Sequence, residues 1–108
     1  MKIPPNAIIA PEKLTLYLLK PRPRSDKSNL LARIGFTLEN PNALEAAIRQ
    51  IILGNEAIFD LENEFGKFYR VEGVLIGVNG VQLDVITVWV FDPIKDTNYR
   101  FVTLKPRR

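Results

Sequence analysis

The chain has 108 residues, of which 46% are hydrophobic and 25% charged, with a formal net charge of +3, values that fit one domain with one core. It contains no Cys and no His, which excludes disulfides, thiolate metal sites and the Ser–His–Asp and Cys–His mechanisms within one chain. No apolar run is long enough to span a membrane and no signal-peptide core is present, so we expect a cytoplasmic protein without a membrane, metal or cofactor partner.

Two helices are predicted in the first third of the chain. Pro11 is typical of a first helical turn, where its missing N–H was unpaired anyway, and Leu14 and Tyr17 follow at core-facing spacing. Two prolines force residues 21–26 into a loop. A short second helix is predicted from residue 27 to about residue 34.

The third helix has the clearest signals. Asn42 and Glu45 have the spacing of a capping box, which predicts the start of the helix. Leu44 and Ile48 then follow the pattern of a core-facing stripe. Gly54 predicts a left-handed stop.

Four strands are predicted in the second half. A nearly continuous apolar run over residues 85–91 indicates a central strand. Asn79-Gly80 signals a two-residue hairpin, and Asp92 and Asp96 are typical turn-forming residues. The expected strands cover about residues 57–62, 67–76, 81–91 and 99–105.

The order of these elements predicts an α+β fold over residues 1–108. The N-terminal helices pack on one face of a four-stranded antiparallel meander with strand order 1-2-3-4. Residues 1–10 form an extended lead-in. A doubly wound nucleotide-binding fold is excluded because its helices and strands must alternate.

Charge is distributed unevenly along the chain. Residues 13–33 hold six basic residues and one acid, residues 39–64 hold six acids and one base, and the C-terminus is basic again. A basic segment and a basic tail can attract a phosphate backbone. The alternative is a solvated charged loop and a frayed tail.

Candidate site residues lie on the strands and in the basic segment. Arg70 and Glu72 are two residues apart on one strand and therefore share a face. Arginine can stabilise charge that develops in a transition state, while a carboxylate or a tyrosine moves the proton. The candidate catalytic residues are Lys27, Arg70, Glu72 and Tyr69, and Arg100 and Arg24 are candidates for substrate binding. The alternative is ordinary cross-strand ion pairing with aromatic residues in the core, where Trp89 is expected.

The chain resembles a small bacterial family of unknown function. Members of that family carry an Ile-Pro-Asn-Ala lead, a helix with Tyr-Leu-Leu, a loop ending in a His-Lys-Ala-like motif and a Gly-Phe-Thr-x-Glu-Asn pattern. The matching segments here are Ile3–Ala7, Tyr17–Leu19, Gly35–Asn40, Arg70–Leu75, Thr87–Val90 and Val102-Thr103. The chain departs from the family in its loop, which has Asp26-Lys27-Ser28. Only Lys27 matches there, so a catalytic base supplied by the family's histidine would be missing.

The order of helices followed by four strands also resembles the barnase, EndoU, colicin and RelE class of ribonucleases, and domains like this one occur in toxin-like proteins. The resemblance implies a metal-independent endoribonuclease that acts on RNA, as the toxin of a toxin–antitoxin pair with a small acidic antitoxin. RelE-like enzymes can work through Lys, Arg and Tyr. The alternative function is a non-catalytic protein-binding module that uses the uncovered sheet face or an edge strand.

Overall fold

Helices precede strands along the chain, as predicted, in a computed structural model that describes residues 1–21, 23 and 27–107. A π-helix spans Lys13–Leu18, α1 spans Ser28–Arg33, α2 spans Pro41–Gly54, and the strands are β1 Ile58–Asn63, β2 Gly66–Ile76, β3 Gln82–Phe91 and β4 Arg100–Pro106. All neighbouring strands are antiparallel, in the order β1-β2-β3-β4. The predicted α+β meander is confirmed.

The first predicted helix forms with wider turns than an α-helix. The Leu19 N–H donates to Leu14 O over 2.9 Å, a bond that spans five residues and defines a π-helix. Leu14 is buried and Tyr17 is partly buried against the core, so the predicted core-facing side is correct.

The predicted caps of the third helix are wrong. Pro41 occupies the first position of α2 and Asn40 is its N-cap, so Asn42 lies within the first turn. A proline suits that start because its φ is already helical. Gly54 ends α2 without a left-handed conformation. Instead, the Asn55 side chain donates to Ile51 O in the last turn over 2.9 Å.

The hydrophobic core lies between the helices and one face of the sheet. Alternate residues of β2 and β3 face the helices, and Val71, Leu75, Val85 and Trp89 all have 0% exposure. Trp89 is in the core, as expected. Gly73 lets α2 approach β2 closely, since a Cβ there would lie 2.9 Å from Ile51 Cγ2.

The N-terminal lead-in lies beside the start of β4. Ile8 N–H donates to Tyr99 O over 2.8 Å, and Phe101 N–H donates to Ile8 O over 2.8 Å. Arg49 of α2 holds the same segment from the other direction, because its Nη1 donates to the carbonyls of Pro5 and Ala7. The lead-in therefore packs against both the sheet and a helix.

Two details of the sheet differ from prediction. The alternation of Phe59 and Leu61 with Asp60 and Glu62 predicts a half-exposed strand, but all six residues of β1 are exposed and the β1–β2 register shifts between Phe59 and Leu61. The loop between β2 and β3 is longer than the two-residue turn predicted at Asn79-Gly80. Gly77 N–H still pairs with Val81 O, so residues 78–80 form the loop.

Candidate functional site

The sheet face opposite the core carries most of the predicted site residues. Arg70 and Glu72 alternate with buried Val71, so their side chains lie on this uncovered face. The register places Arg70, Val88 and Thr103 in one row across β2, β3 and β4. A single face therefore joins residues that are far apart in the chain.

A cluster of one ammonium and two hydroxyl groups lies at the β4 end of that row. Lys27 Nζ lies 3.0 Å from Thr103 Oγ1 and 3.4 Å from the Tyr17 hydroxyl. The two hydroxyl oxygens are 3.3 Å apart, and Nζ also lies 5.3 Å from the centre of the Tyr17 ring. We call Tyr17, Lys27 and Thr103 the lysine–hydroxyl cluster.

Three elements that are separate along the chain bring these groups together. Lys27 immediately precedes α1, Tyr17 is on the π-helix, and Thr103 is on the outer strand β4. Among the described residues, the partners of the Lys27 ammonium are hydroxyl oxygens and an aromatic ring, and no carboxylate lies in ion-pair range. An ammonium with such partners can also donate a charge-assisted hydrogen bond to an anion.

A second cluster lies at the β2 end of the row. Glu72 is 3.4 Å from Arg70 Nε and 3.1 Å from Arg107 Nε. Arg70 Nε is out of solvent without forming a hydrogen bond, although 40% of the side chain is exposed. We call Arg70, Glu72 and Arg107 the arginine–glutamate cluster. Its two cations outnumber its one carboxylate.

The two clusters share a face but do not touch. Two interstrand spacings, about 9–10 Å, separate the backbones of Arg70 and Thr103. The candidate catalytic residues Lys27 and Arg70 can act on one phosphate only if their side chains converge. The structure places the two clusters on one face but too far apart to bind the same phosphate oxygen. The gap between them is wide enough for part of an extended polymer.

Tyr69 lies on the opposite face from Arg70. Its neighbours are the rings of Phe59 and Tyr99, with centroids 5.8 and 5.6 Å away. Burial raises the pKa of Tyr99, and the nearby Tyr69 hydroxyl raises it further. The predicted grouping of Tyr69 with Arg70 and Glu72 is wrong, because adjacent strand residues point to opposite faces of the sheet.

Arg100 is on the uncovered face, but its charge is already paired. Its Nε lies 3.1 Å from Asp96 Oδ1. The backbone N–H of Asp92 hydrogen-bonds Asp96 over 2.8 Å and, with Arg100 beside it, holds the pKa of that carboxyl below its usual range. Asp92 and Asp96 form the turn that was predicted. The other predicted substrate-binding residue, Arg24, lies outside the described residues.

Sequence reasoning missed three members of the clusters. Tyr17 was assigned to the core by its spacing, and Thr103 gave no chemical signal. Arg107 was considered only as part of a basic tail that either attracts phosphate or is frayed. Tyr17 and Thr103 do lie in segments that carry the family resemblance, which was the one signal that could have singled them out. Contacts between residues 86 positions apart cannot be inferred from local patterns.

The described residues contain no group of three or more Asp and Glu side chains arranged to hold a metal ion. Within that same part of the chain, no helix is long and apolar enough to cross a membrane.

Residues 4–108 match a family described as a domain of unknown function, DUF6883, and the chain belongs to that family. The resemblance to a family of unknown function is thereby confirmed. No curated protein matches the chain. A solved chain from a contact-dependent growth inhibition toxin–immunity protein complex of Klebsiella pneumoniae 342 is similar in fold, with a TM-score of 0.70 and 18% identity. The similarity covers 94% of this chain and 100% of that one.

Proposed function

We propose that this protein is a metal-independent endoribonuclease, that it acts in the cytoplasm as a toxin, and that a protein partner neutralises it. The observation that carries the proposal is the lysine–hydroxyl cluster, where Lys27 presents an ammonium without a carboxylate partner among the described residues. An ammonium beside two hydroxyl donors matches the hydrogen-bonding needs of a phosphate oxygen.

The reaction that fits these groups needs no metal. The ribose 2′-hydroxyl attacks the adjacent phosphorus, the new O2′–P bond forms, and the P–O5′ bond breaks to leave a cyclic phosphate and a 5′-hydroxyl. Glu72 takes the proton from the 2′-hydroxyl, Lys27 stabilises charge on the phosphoryl oxygens, and the Tyr17 hydroxyl supplies a proton to O5′. Tyr17 takes the role that the sequence had offered to Tyr69.

The gap between the clusters favours an unpaired strand as substrate. Lys27 contacts Thr103 at the β4 end of the Arg70–Val88–Thr103 row, and Glu72 lies two residues along β2 from Arg70 at the other end. In this proposal a ribose and its phosphate bridge the gap between Glu72 and Lys27. Arg70 and Arg107 then hold a neighbouring phosphate. A duplex, whose sugars and phosphates follow a rigid helix, is a poorer match to a flat sheet face.

The comparison with solved structures supports the toxin part of the proposal, since a chain of this fold occurs in a complex of a toxin with its immunity protein. The neutralising partner we propose is a small acidic protein. On the uncovered face, acidic side chains of such a partner would meet the basic clusters and exclude RNA.

The test is cleavage of total RNA and of ribosomes in the presence of a chelator. Lys27→Ala and Tyr17→Phe should each lower cleavage by roughly a hundredfold or more, as for one lost donor to a transition-state anion. Lys20→Ala is the matched control, because Lys20 is exposed and belongs to neither cluster. A 2′-deoxy substitution at the cut site should abolish cleavage.

Three results would count against the proposal. RNA that stays intact in both assays, with normal growth on induced expression, would favour the protein-binding alternative. Cleavage of the 2′-deoxy substrate would exclude the attack described above. If activity and melting temperature fall together in both Lys27→Ala and Tyr17→Phe, the role of the lysine–hydroxyl cluster is structural.

A further inference from the structure

A second surface, which borders the uncovered face but contains neither cluster, is an apolar groove of about 260 Å³ between α2 and the end of β2. Three small residues on α2 leave the space, and two exposed residues of β2 form the opposite wall. The lining includes Ala43, Ala46, Ala47, Gln50, Val74 and Ile76.

The groove follows an open strand edge. β1 pairs with β2 only as far as Arg70, whereas β3 pairs with β2 as far as Ile76. Residues 71–76 therefore have no strand on the β1 side in the described part of the chain. In an antiparallel strand every second residue directs its N–H and C=O to the same side, so three residues of this segment present unpaired groups there.

The lining residues locate the groove at that edge. Val74 and Ile76 flank buried Leu75, so their side chains lie on the face away from the core. The alanines of α2 lie on the core side of the sheet. A cavity that touches residues on both sides of β2 must lie along its edge.

Beyond Glu72, this edge lacks the usual protection against pairing. Proteins shield exposed edges with charged side chains, proline or bulges. Here Val74 and Ile76 are apolar and are 41% and 57% exposed. None of the described residues that line the groove carries a formal charge. The neutral lining disfavours a phosphate-rich ligand and favours uncharged side chains.

We propose that the groove binds an extended segment of a protein partner, which adds to β2 as a new strand beside residues 71–76. Backbone donors and acceptors at strand spacing select an extended chain, and the neutral apolar lining selects alternating apolar side chains on it. Six residues at about 3.4 Å each give a pairing length of about 20 Å. The inference does not depend on RNA cleavage.

The probe for this site is a library of random dodecapeptides selected on the wild-type protein. The selected peptides should alternate apolar and polar residues and should slow amide exchange in residues 71–76. Val74→Lys should weaken their binding at least tenfold, while Ile94→Lys, an equally drastic change at a residue 93% exposed on another loop, should leave it unchanged.

Two further measurements keep the test decisive. If Val74→Lys fails to fold, Ala46→Glu blocks the same groove from the exposed side of α2. Methylating alternate backbone nitrogens of a selected peptide should abolish binding in one of the two registers only. The proposal is overturned if no peptide binds, if binding ignores both groove variants, or if the purified protein dimerises through this edge, which would assign it to a second copy.

Discussion

A buried hydroxyl relay links the two central strands of the sheet that carries the candidate site. Thr87 Oγ1 donates to Val71 O over 3.0 Å and accepts from Trp89 Nε1 over 2.9 Å. All three residues have 0% exposure. Replacing Thr87 with Val keeps the shape of the side chain and removes both hydrogen bonds.

The expected loss of stability follows from the polar groups that the substitution leaves without a partner. The indole N–H of Trp89 is left buried without its partner, a loss of about 1–3 kcal/mol, and the second bond adds about 0.5–1.5 kcal/mol. Burying the extra methyl group offsets about 0.8 kcal/mol. We expect Thr87→Val to lower the free energy of unfolding by about 2 kcal/mol and the melting temperature by roughly 8 °C.

Urea unfolding followed by far-ultraviolet circular dichroism measures this cost. In a double-mutant cycle with Trp89→Phe, which removes the indole donor, the cost of Thr87→Val should be smaller than in the wild-type protein. Thr15→Val, at a half-buried hydroxyl on the π-helix, should change stability by less than about 0.5 kcal/mol. Equal costs of Thr87→Val in both backgrounds would refute the relay.

Three other predictions concern the lead-in, the helix–sheet contact and the β3–β4 turn. Arg49→Met removes two hydrogen bonds to lead-in carbonyls, so proteolysis within residues 1–10 should accelerate and stability should fall by about 1–3 kcal/mol, while Glu45→Gln, which breaks only an ion pair on the surface of α2, should cost about 0.3–0.5 kcal/mol. Gly73→Ala should destabilise the protein by about 1–3 kcal/mol in urea unfolding because its Cβ meets α2, whereas Gly54→Ala, with nothing within 4 Å, should not. The lowered pKa of Asp96 contributes stability above its unfolded pKa that is lost as pH falls through the folded value; Asp96→Asn should therefore flatten the fall in stability below about pH 4, and an unchanged acid profile would contradict this.

The sequence predicted the elements because their signals are local. The apolar run in β3 specified a central strand, and the spacing of Leu44 and Ile48 specified the buried side of α2. The capping box failed because Pro41, one residue earlier, offered a better start to the helix. The two-residue hairpin failed because the pairing of Gly77 with Val81 sets the loop length, and a dipeptide signal does not report pairing.

The candidate site was only half predictable. Arg70 and Glu72 were correctly placed on one face, since side chains in a strand alternate with a period of two. The same rule separates Tyr69 from them, and the ring contacts of Tyr69 confirm that separation. The partners of Lys27 depended on how the segment before α1 and the π-helix pack against β4.

By itself the sequence determined the α+β class, the order of the strands and the burial of Trp89, because hydrophobic periodicity and turn residues act over a few neighbouring positions. Only the tertiary structure decided that Lys27 meets Tyr17 and Thr103, and that β1 ends early enough to leave part of β2 unpaired. Both features depend on strand register and helix packing, which are set by contacts summed over the whole core.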